Sequence, residues 1–117
     1  MNCLNDFLKL AANEDRFRMI VLLFQEKLCV CQLTEILNLS QPTVSKNLAK
    51  FRDTKCVDSY QSGKYIYYGL KANDISVNSF LESILQNIDN YPRLKEDSIR
   101  LAKKDTFITV CNSECNK

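Results

Sequence analysis

The stretch Asn38-Leu39-Ser40-Gln41-Pro42-Thr43-Val44-Ser45-Lys46-Asn47-Leu48-Ala49-Lys50-Phe51-Arg52 decides the fold. Asn tolerates positive φ better than most residues, so Asn38 suits a left-handed helix stop. Ser40 is a natural N-cap for a new helix, and Pro42 falls in its first turn, where a missing N–H costs nothing. That helix carries Val44, Leu48 and Phe51 on one side. Gln41, Thr43, Ser45, Lys46, Asn47, Lys50 and Arg52 are assigned to the other. A helix stop, a one-residue link and a second helix with an outward polar side make a helix-turn-helix.

Reading outward, the helix before the turn runs from about Cys31 to Leu37, with Leu33, Ile36 and Leu37 facing inward. Ahead of it, residues 14–26 place Phe17, Ile20, Val21 and Phe24 on one face with Met19, Leu22 and Leu23 alongside. So wide an apolar arc predicts a central helix covered on most sides. Residues 4–11 form a short first helix through Leu4, Phe7, Leu8 and Ala11. After the turn, Cys56–Tyr60 and Tyr65–Leu70 are two β-favouring runs around Gln61-Ser62-Gly63-Lys64, which reads as a hairpin. Residues 76–88 return to the helical period through Val77, Phe80, Leu81, Ile84, Leu85 and Ile88. Pro92 interrupts that helix, and a further polar helix is expected from Pro92 to Lys104. The resulting order is four helices, a hairpin and a helix: a mainly α winged helix-turn-helix with a small β-hairpin and an added dimerisation helix. Residues 1–104 are read as this domain with its terminal dimerisation helices, and 105–117 as a Cys-containing tail.

The chain's 117 residues are one domain's worth, enough for a single core. Its composition, 45% hydrophobic and 26% charged, is that of a globular protein rather than a fibre or a disordered tail. The longest apolar run, Met19 to Phe24, is far below the ~20 residues needed to cross a bilayer, and no signal peptide is visible. The expected location is cytoplasmic, with no membrane partner. There is no histidine, no Gly-rich phosphate loop and no nucleophile spaced to a base, so no enzymatic activity and no organic cofactor are expected.

Net charge is only +2, but its distribution is informative. Six basic residues (Lys46, Lys50, Arg52, Lys55, Lys64 and Lys71) and two acids (Asp53 and Asp58) lie between Ser40 and Lys71. The local balance is +4 and the rest of the chain carries −2, the footprint of a nucleic-acid-binding face. Within this region Leu39-Ser-Gln-Pro-Thr-Val-Ser-Lys-Asn-Leu48 resembles the recognition-helix motif of the ArsR/SmtB metalloregulatory repressors. Leu28-Cys-Val-Cys-Gln-Leu33 and Gly63-Lys-Tyr-Ile-Tyr-Tyr68 extend the resemblance, which spans roughly residues 15–88. It implies a homodimeric repressor on an imperfectly palindromic double-stranded operator, released when a metal or metalloid binds. It also implies that Ser40, Gln41, Thr43, Ser45, Lys46, Asn47 and Lys50 face the major groove or its phosphates, with Lys64 reaching out from the hairpin tip. Two departures stand out: Asn47 replaces the family's usual histidine, and Tyr60-Gln61 replace the arginines that commonly precede the hairpin glycine.

The six cysteines are Cys3, Cys29, Cys31, Cys56, Cys111 and Cys115. In a reducing compartment clustered thiols are more often ligands or redox groups than disulfides. Cys29 and Cys31 precede a helix, whose free N–H groups favour a thiolate and are expected to lower its pKa. Soft thiolates suit arsenite, antimonite, cadmium, lead or copper(I). Residues two apart on a helix point about 200° apart. One ion shared by Cys29 and Cys31 therefore requires the start of that helix to be extended or to unwind.

The resemblance narrows the effector to arsenite or antimonite, since arsenite-sensing members carry Cys-Val-Cys-x-Leu-Cys here; Thr34 stands in place of the third cysteine. Candidates for a third ligand are Cys3, Cys56, Cys111, Cys115 or a small exogenous thiol. Cys111 and Cys115, spaced i, i+4, also suit one helix face. Cadmium- or lead-sensing relatives share Cys-Val-Cys and add N-terminal cysteines, which makes Cys3 the residue to watch for that alternative. A thiol-redox repressor is a further alternative. The family's second metal site, on the last helix, uses acids and histidines, which a chain without histidine does not provide.

Overall fold

Met19-Ile-Val-Leu-Leu23 has no polar residue to turn outward, and a helix built on it has to be enclosed. In a computed structural model, which describes residues 3–71 and 74–103, all five are buried. Their helix, α2 (Glu14–Gln25), touches α1 (Cys3–Ala11), α3 (Val30–Leu37), α6 (Pro92–Leu101) and the strand β3 (Tyr65–Leu70). Asn13 caps it, its side-chain oxygen accepting the Arg16 N–H at 3.1 Å. The remaining elements are β1 (Leu28–Cys29), α4 (Gln41–Asp53), β2 (Val57–Ser62), α5 (Ile75–Gln86) and a 3-10 turn over Ile88–Asn90.

The α3–α4 corner forms as its residues dictate. Asn38 adopts φ 56°, ψ 44°, and Leu39 N–H returns to the Thr34 carbonyl at 3.3 Å. Ser40 caps α4, accepting the Thr43 N–H at 3.3 Å. At the far end Cys56 N–H reaches the Phe51 carbonyl and Lys55 N–H the Arg52 carbonyl. Those bonds need a left-handed residue at position 55, and Lys55 takes φ 61° without being glycine.

The winged helix-turn-helix order is present, with one strand more than the hairpin expected. Leu28 and Cys29 pair antiparallel with Tyr68 and Tyr67, giving a three-stranded sheet in the order β1-β3-β2. A two-residue strand shows no periodicity, which is why the sequence reads only the hairpin. The polar last helix exists as Pro92–Leu101, with Pro92 at its first position as its fixed φ favours. Residues 104–117, including Cys111 and Cys115, lie outside the described residues, as does the side chain of Cys3.

A buried ion pair holds α6 down. The Arg18 guanidinium donates to both carboxylate oxygens of Asp97 at 2.8 and 2.9 Å and to the Leu37 carbonyl at 3.0 Å. Side-chain exposures are 6% and 4%. The paired carboxylate raises the Arg18 pKa further, against the effect of burial. Arg100 also donates to the Glu35 carbonyl. Two side chains of α6 thus engage, directly or through Arg18, the end of α3 that leads into α4.

Candidate nucleic-acid interface and thiol site

On α4 the helical period sorts the side chains. Val44, Asn47, Leu48 and Phe51 occupy i, i+3, i+4 and i+7 and are buried, while Ser45, Lys46, Lys50 and Arg52 are exposed. Gln41 and Thr43 are half-buried, and the exposed Ser40 gives its hydroxyl hydrogen to Thr43 Oγ1 at 2.9 Å. Asn47 stands apart from the other expected contacts. At 7% exposure it lies in the inward row with Val44, Leu48 and Phe51. Its spacing from Val44 and Phe51 is what places it there. Arg52, exposed in the last turn, adds a cation to the same basic surface.

The hairpin β2–β3 supplies the wing. Gly63 turns it at φ +62°, and the Gln61 side-chain amide donates to the Gly63 carbonyl at 3.1 Å. Lys64 is exposed at the tip, with its ammonium 5.8 Å from the centroid of the Tyr65 ring. Exposed Lys46, Lys50, Arg52 and Lys64 thus project from the recognition helix and the wing beside it.

The thiols sit between these two parts. Cys29 ends β1 and is also the N-cap of α3, extended at φ −91°, ψ 171°. Gln32 completes a capping box. Its side-chain oxygen accepts the Cys29 N–H at 3.0 Å while its own N–H points back to the Cys29 thiol. The wide angular separation of two residues on one helix does not apply, because Cys29 lies outside α3 and Cys31 inside. The two sulfurs are 3.2 Å apart, and Cys31 is disulfide-bonded in this structure, so both sulfurs accept one atom only once that bond is reduced. Two thiolates on one atom, at bonds of about 2.3 Å and angles of ~90–110°, stand roughly 3.3–3.8 Å apart. The extended start that a shared ion requires is already present, so α3 has nothing to unwind.

Both cysteines are buried, at 0% and 1% exposure, in a small cluster separate from the main core. Among the described residues, Tyr65 and Tyr67 pack on it. Burial pushes the Cys29 pKa up, although the N–H groups of Gln32 and Cys31 pull the other way. The lowered value expected from the helix N-terminus is thereby overturned for Cys29, since desolvation outweighs the local N–H groups.

Cys56 is not brought to the pair. It packs against the main core, with the Thr54 hydroxyl donating to its sulfur at 3.2 Å. It precedes β2, which β3 separates from β1, and lies four residues before Tyr60, the β2 residue level with Cys29. Among the described residues no third Cys, Asp or Glu joins Cys29 and Cys31. Three features escaped the sequence reading: the Tyr65–Tyr67 covering, the Gln32 capping box and the Arg18–Asp97 pair. Only the capping box had a local signal, its Gln lying three residues after the cap.

A helix held across a tight turn, exposing a basic polar face beside a hairpin with a cationic tip, defines a winged helix-turn-helix DNA-binding protein. The solved structure of HlyU from Vibrio cholerae shares the fold at a TM-score of 0.62 and 28% identity, covering 69% of this chain and 86% of that one. Residues 13–57 match the description "Bacterial regulatory protein, arsR family". The arsenic resistance transcriptional regulator ArsR1 of Pseudomonas putida is 35% identical over 98 residues, covering 81% of this chain and 74% of that protein. The cadmium resistance regulatory protein CadC of Listeria innocua is 33% identical over 66 residues, 56% of each chain. The chain belongs to the ArsR family, whose fold and surface are those of DNA-binding transcriptional repressors and not of enzymes.

Proposed function

We propose that the protein is a homodimeric repressor of operator DNA that is released when arsenite or antimonite binds Cys29 and Cys31. The observation that carries this reading is the pair of sulfurs 3.2 Å apart and buried under two tyrosine rings. A hydrated divalent cation entering such a site loses its water in an apolar setting at high cost. Arsenous acid is neutral. In the chain reduced by a thiol reductant, which opens the Cys31 disulfide, it condenses with the two thiols, forming two As–S bonds as two hydroxides leave with the thiol protons as water, and no charge is buried. The third arsenic substituent is then a hydroxide or a further thiol; Cys3, Cys111 and Cys115 are the protein's candidates.

Ser45, Lys46, Lys50 and Lys64 contact DNA, with Gln41 and Thr43 near the start of the recognition helix. The partner is a double-stranded, imperfectly palindromic operator read by two copies of α4. Support for the dimer comes from α1 and α5. Leu8 and Phe80 are 56% and 44% exposed, and an apolar cleft of about 320 Å³ runs between Phe7, Leu8, Ala11, Ala12, Phe17 and Phe80. No helix of the described residues is long and apolar enough to cross a membrane, which accords with a cytoplasmic protein.

The test uses the reduced protein on an operator selected from random duplexes, titrated with arsenite and then cadmium. Arsenite is expected to bind stoichiometrically and release DNA, with a coupling of about 1–3 kcal/mol. The Cys29→Ser/Cys31→Ser variant is expected to bind DNA and ignore arsenite. Release of that variant by arsenite would refute the site. Response to cadmium alone would move the protein to the heavy-metal reading and bring in Cys3.

A further inference from the structure

The sheet register puts the thiol pair in one row with the wing. Cys29 faces Tyr67 across β1 and β3, and Tyr67 faces Tyr60 across β3 and β2. Directly opposed residues send their side chains to the same face of a sheet. Leu28 and Tyr68, on the other face, belong to the main core, so the row Cys29–Tyr67–Tyr60 lies on the outer face. The Tyr60 and Tyr67 rings stack at 5.6 Å and 19°. Beside them a cleft of about 420 Å³ opens between Lys27, Tyr60, Tyr67 and Gly69, leaving the Tyr67 ring a space to turn into. Tyr65, the second ring over the sulfurs, lies under the wing-tip ammonium of Lys64.

We propose that Tyr65 and Tyr67 form the cover of the thiol pair, and that occupancy of the pair is transmitted to DNA through the wing. In the reduced chain, with the Cys31 disulfide opened, an atom bound to both sulfurs, together with its remaining substituent, needs volume that a close-packed cluster does not hold. The main core and the β1–β3 ladder are fixed by burial and backbone bonds. The half-buried rings are the groups that yield. Tyr67 swings toward the cleft, and displacement of Tyr65 carries Lys64 away from its phosphate. This route leaves α3 intact, in keeping with its preformed extended start. By linkage, DNA held through the wing weakens effector binding by the same factor as effector weakens DNA binding. The transmission step rests on the effector reading above; the cover itself does not.

Two measurements separate these. Iodoacetamide labelling of the reduced full chain, read on the tryptic peptide 28–46 that holds both cysteines, reports access without any metalloid. Tyr67→Ala is expected to speed labelling about tenfold, since a buried thiol reacts only through local opening. Equal rates for wild type and Tyr67→Ala, each folded by circular dichroism, would overturn the cover. If Tyr67→Ala fails to fold, Tyr67→Leu serves in its place. Hydrogen exchange of wild type with and without arsenite tests transmission. Faster exchange in the hairpin 57–70, with α3 unchanged, is the expected result. Arsenite bound with faster exchange confined to α3 would overturn transmission and leave the effector reading standing. Absence of arsenite binding would overturn the effector reading and transmission with it, while the labelling result would still decide the cover.

Discussion

Replacing Asp97 with alanine removes one side of the Arg18–Asp97 pair and leaves a guanidinium inside the protein. Breaking a buried pair from one side typically costs about 3–5 kcal/mol, because the remaining charge is neither hydrated nor matched. Here Arg18 retains the Leu37 carbonyl at 3.0 Å and an Asp15 carboxylate at 3.9 Å. The expected loss is therefore about 2–4 kcal/mol. Set against a total stability of about 5–15 kcal/mol, that is a large share. It corresponds to a fall in Tm of roughly 10 °C for a domain of this size. Urea unfolding followed by circular dichroism measures it through the midpoint at constant slope. The double variant Arg18→Met/Asp97→Leu supplies the control, since removing both charges together is near-neutral or stabilising where apolar groups fill the space. A loss under about 1 kcal/mol for Asp97→Ala at unchanged slope would refute the reasoning. So would a double variant no more stable than the single one.

Lys46→Ala is expected to weaken DNA binding evenly across sequences and to lower the salt slope by about 1, the share of one phosphate. Asn47→Ala, on the inward row, is expected to leave that slope unchanged and to cost roughly 1 kcal/mol of stability; the reverse pattern would put Asn47 back at the groove. Burial raises the Cys29 pKa in the folded chain above its unfolded value. The contribution is thus fully present below the ordinary thiol pKa, on the order of 8.5, and is lost as pH rises through the folded value. Unfolding free energy measured across the range from neutral to alkaline pH should therefore fall more steeply for wild type than for Cys29→Ser, and parallel curves would count against it. Phe80→Glu, placing a charge on the exposed apolar face of α5, is expected to leave a folded monomer in sedimentation at micromolar concentration. A persistent dimer would locate the interface elsewhere.

The recognition helix, its cap and the helix stop before it were legible in the sequence, because each rests on local chemistry. Asn38 takes the left-handed stop, Ser40 accepts an N–H within one turn, and Val44, Leu48 and Phe51 repeat at the helical period. The hairpin followed from its turn residues in the same way. The choice of Cys29 and Cys31 came from residue type, their place before a helix and the resemblance of Cys-Val-Cys to the family's motif. The inward row of Asn47 was legible too, from its spacing to Val44 and Phe51. Tertiary structure alone decided the rest. The close approach of the two sulfurs depends on Cys29 ending a strand that exists only because β3, far along the chain, pairs with it. The tyrosine covering depends on that same register. Arg18 and Asp97, distant in sequence, meet because α6 lies across α2 beside the end of α3. Burial, which raised the Cys29 pKa against the pull of a helix N-terminus, is likewise a property of the assembled chain. Capping and periodicity act between residues a few positions apart, whereas register, ion pairing and desolvation are fixed only when distant segments pack.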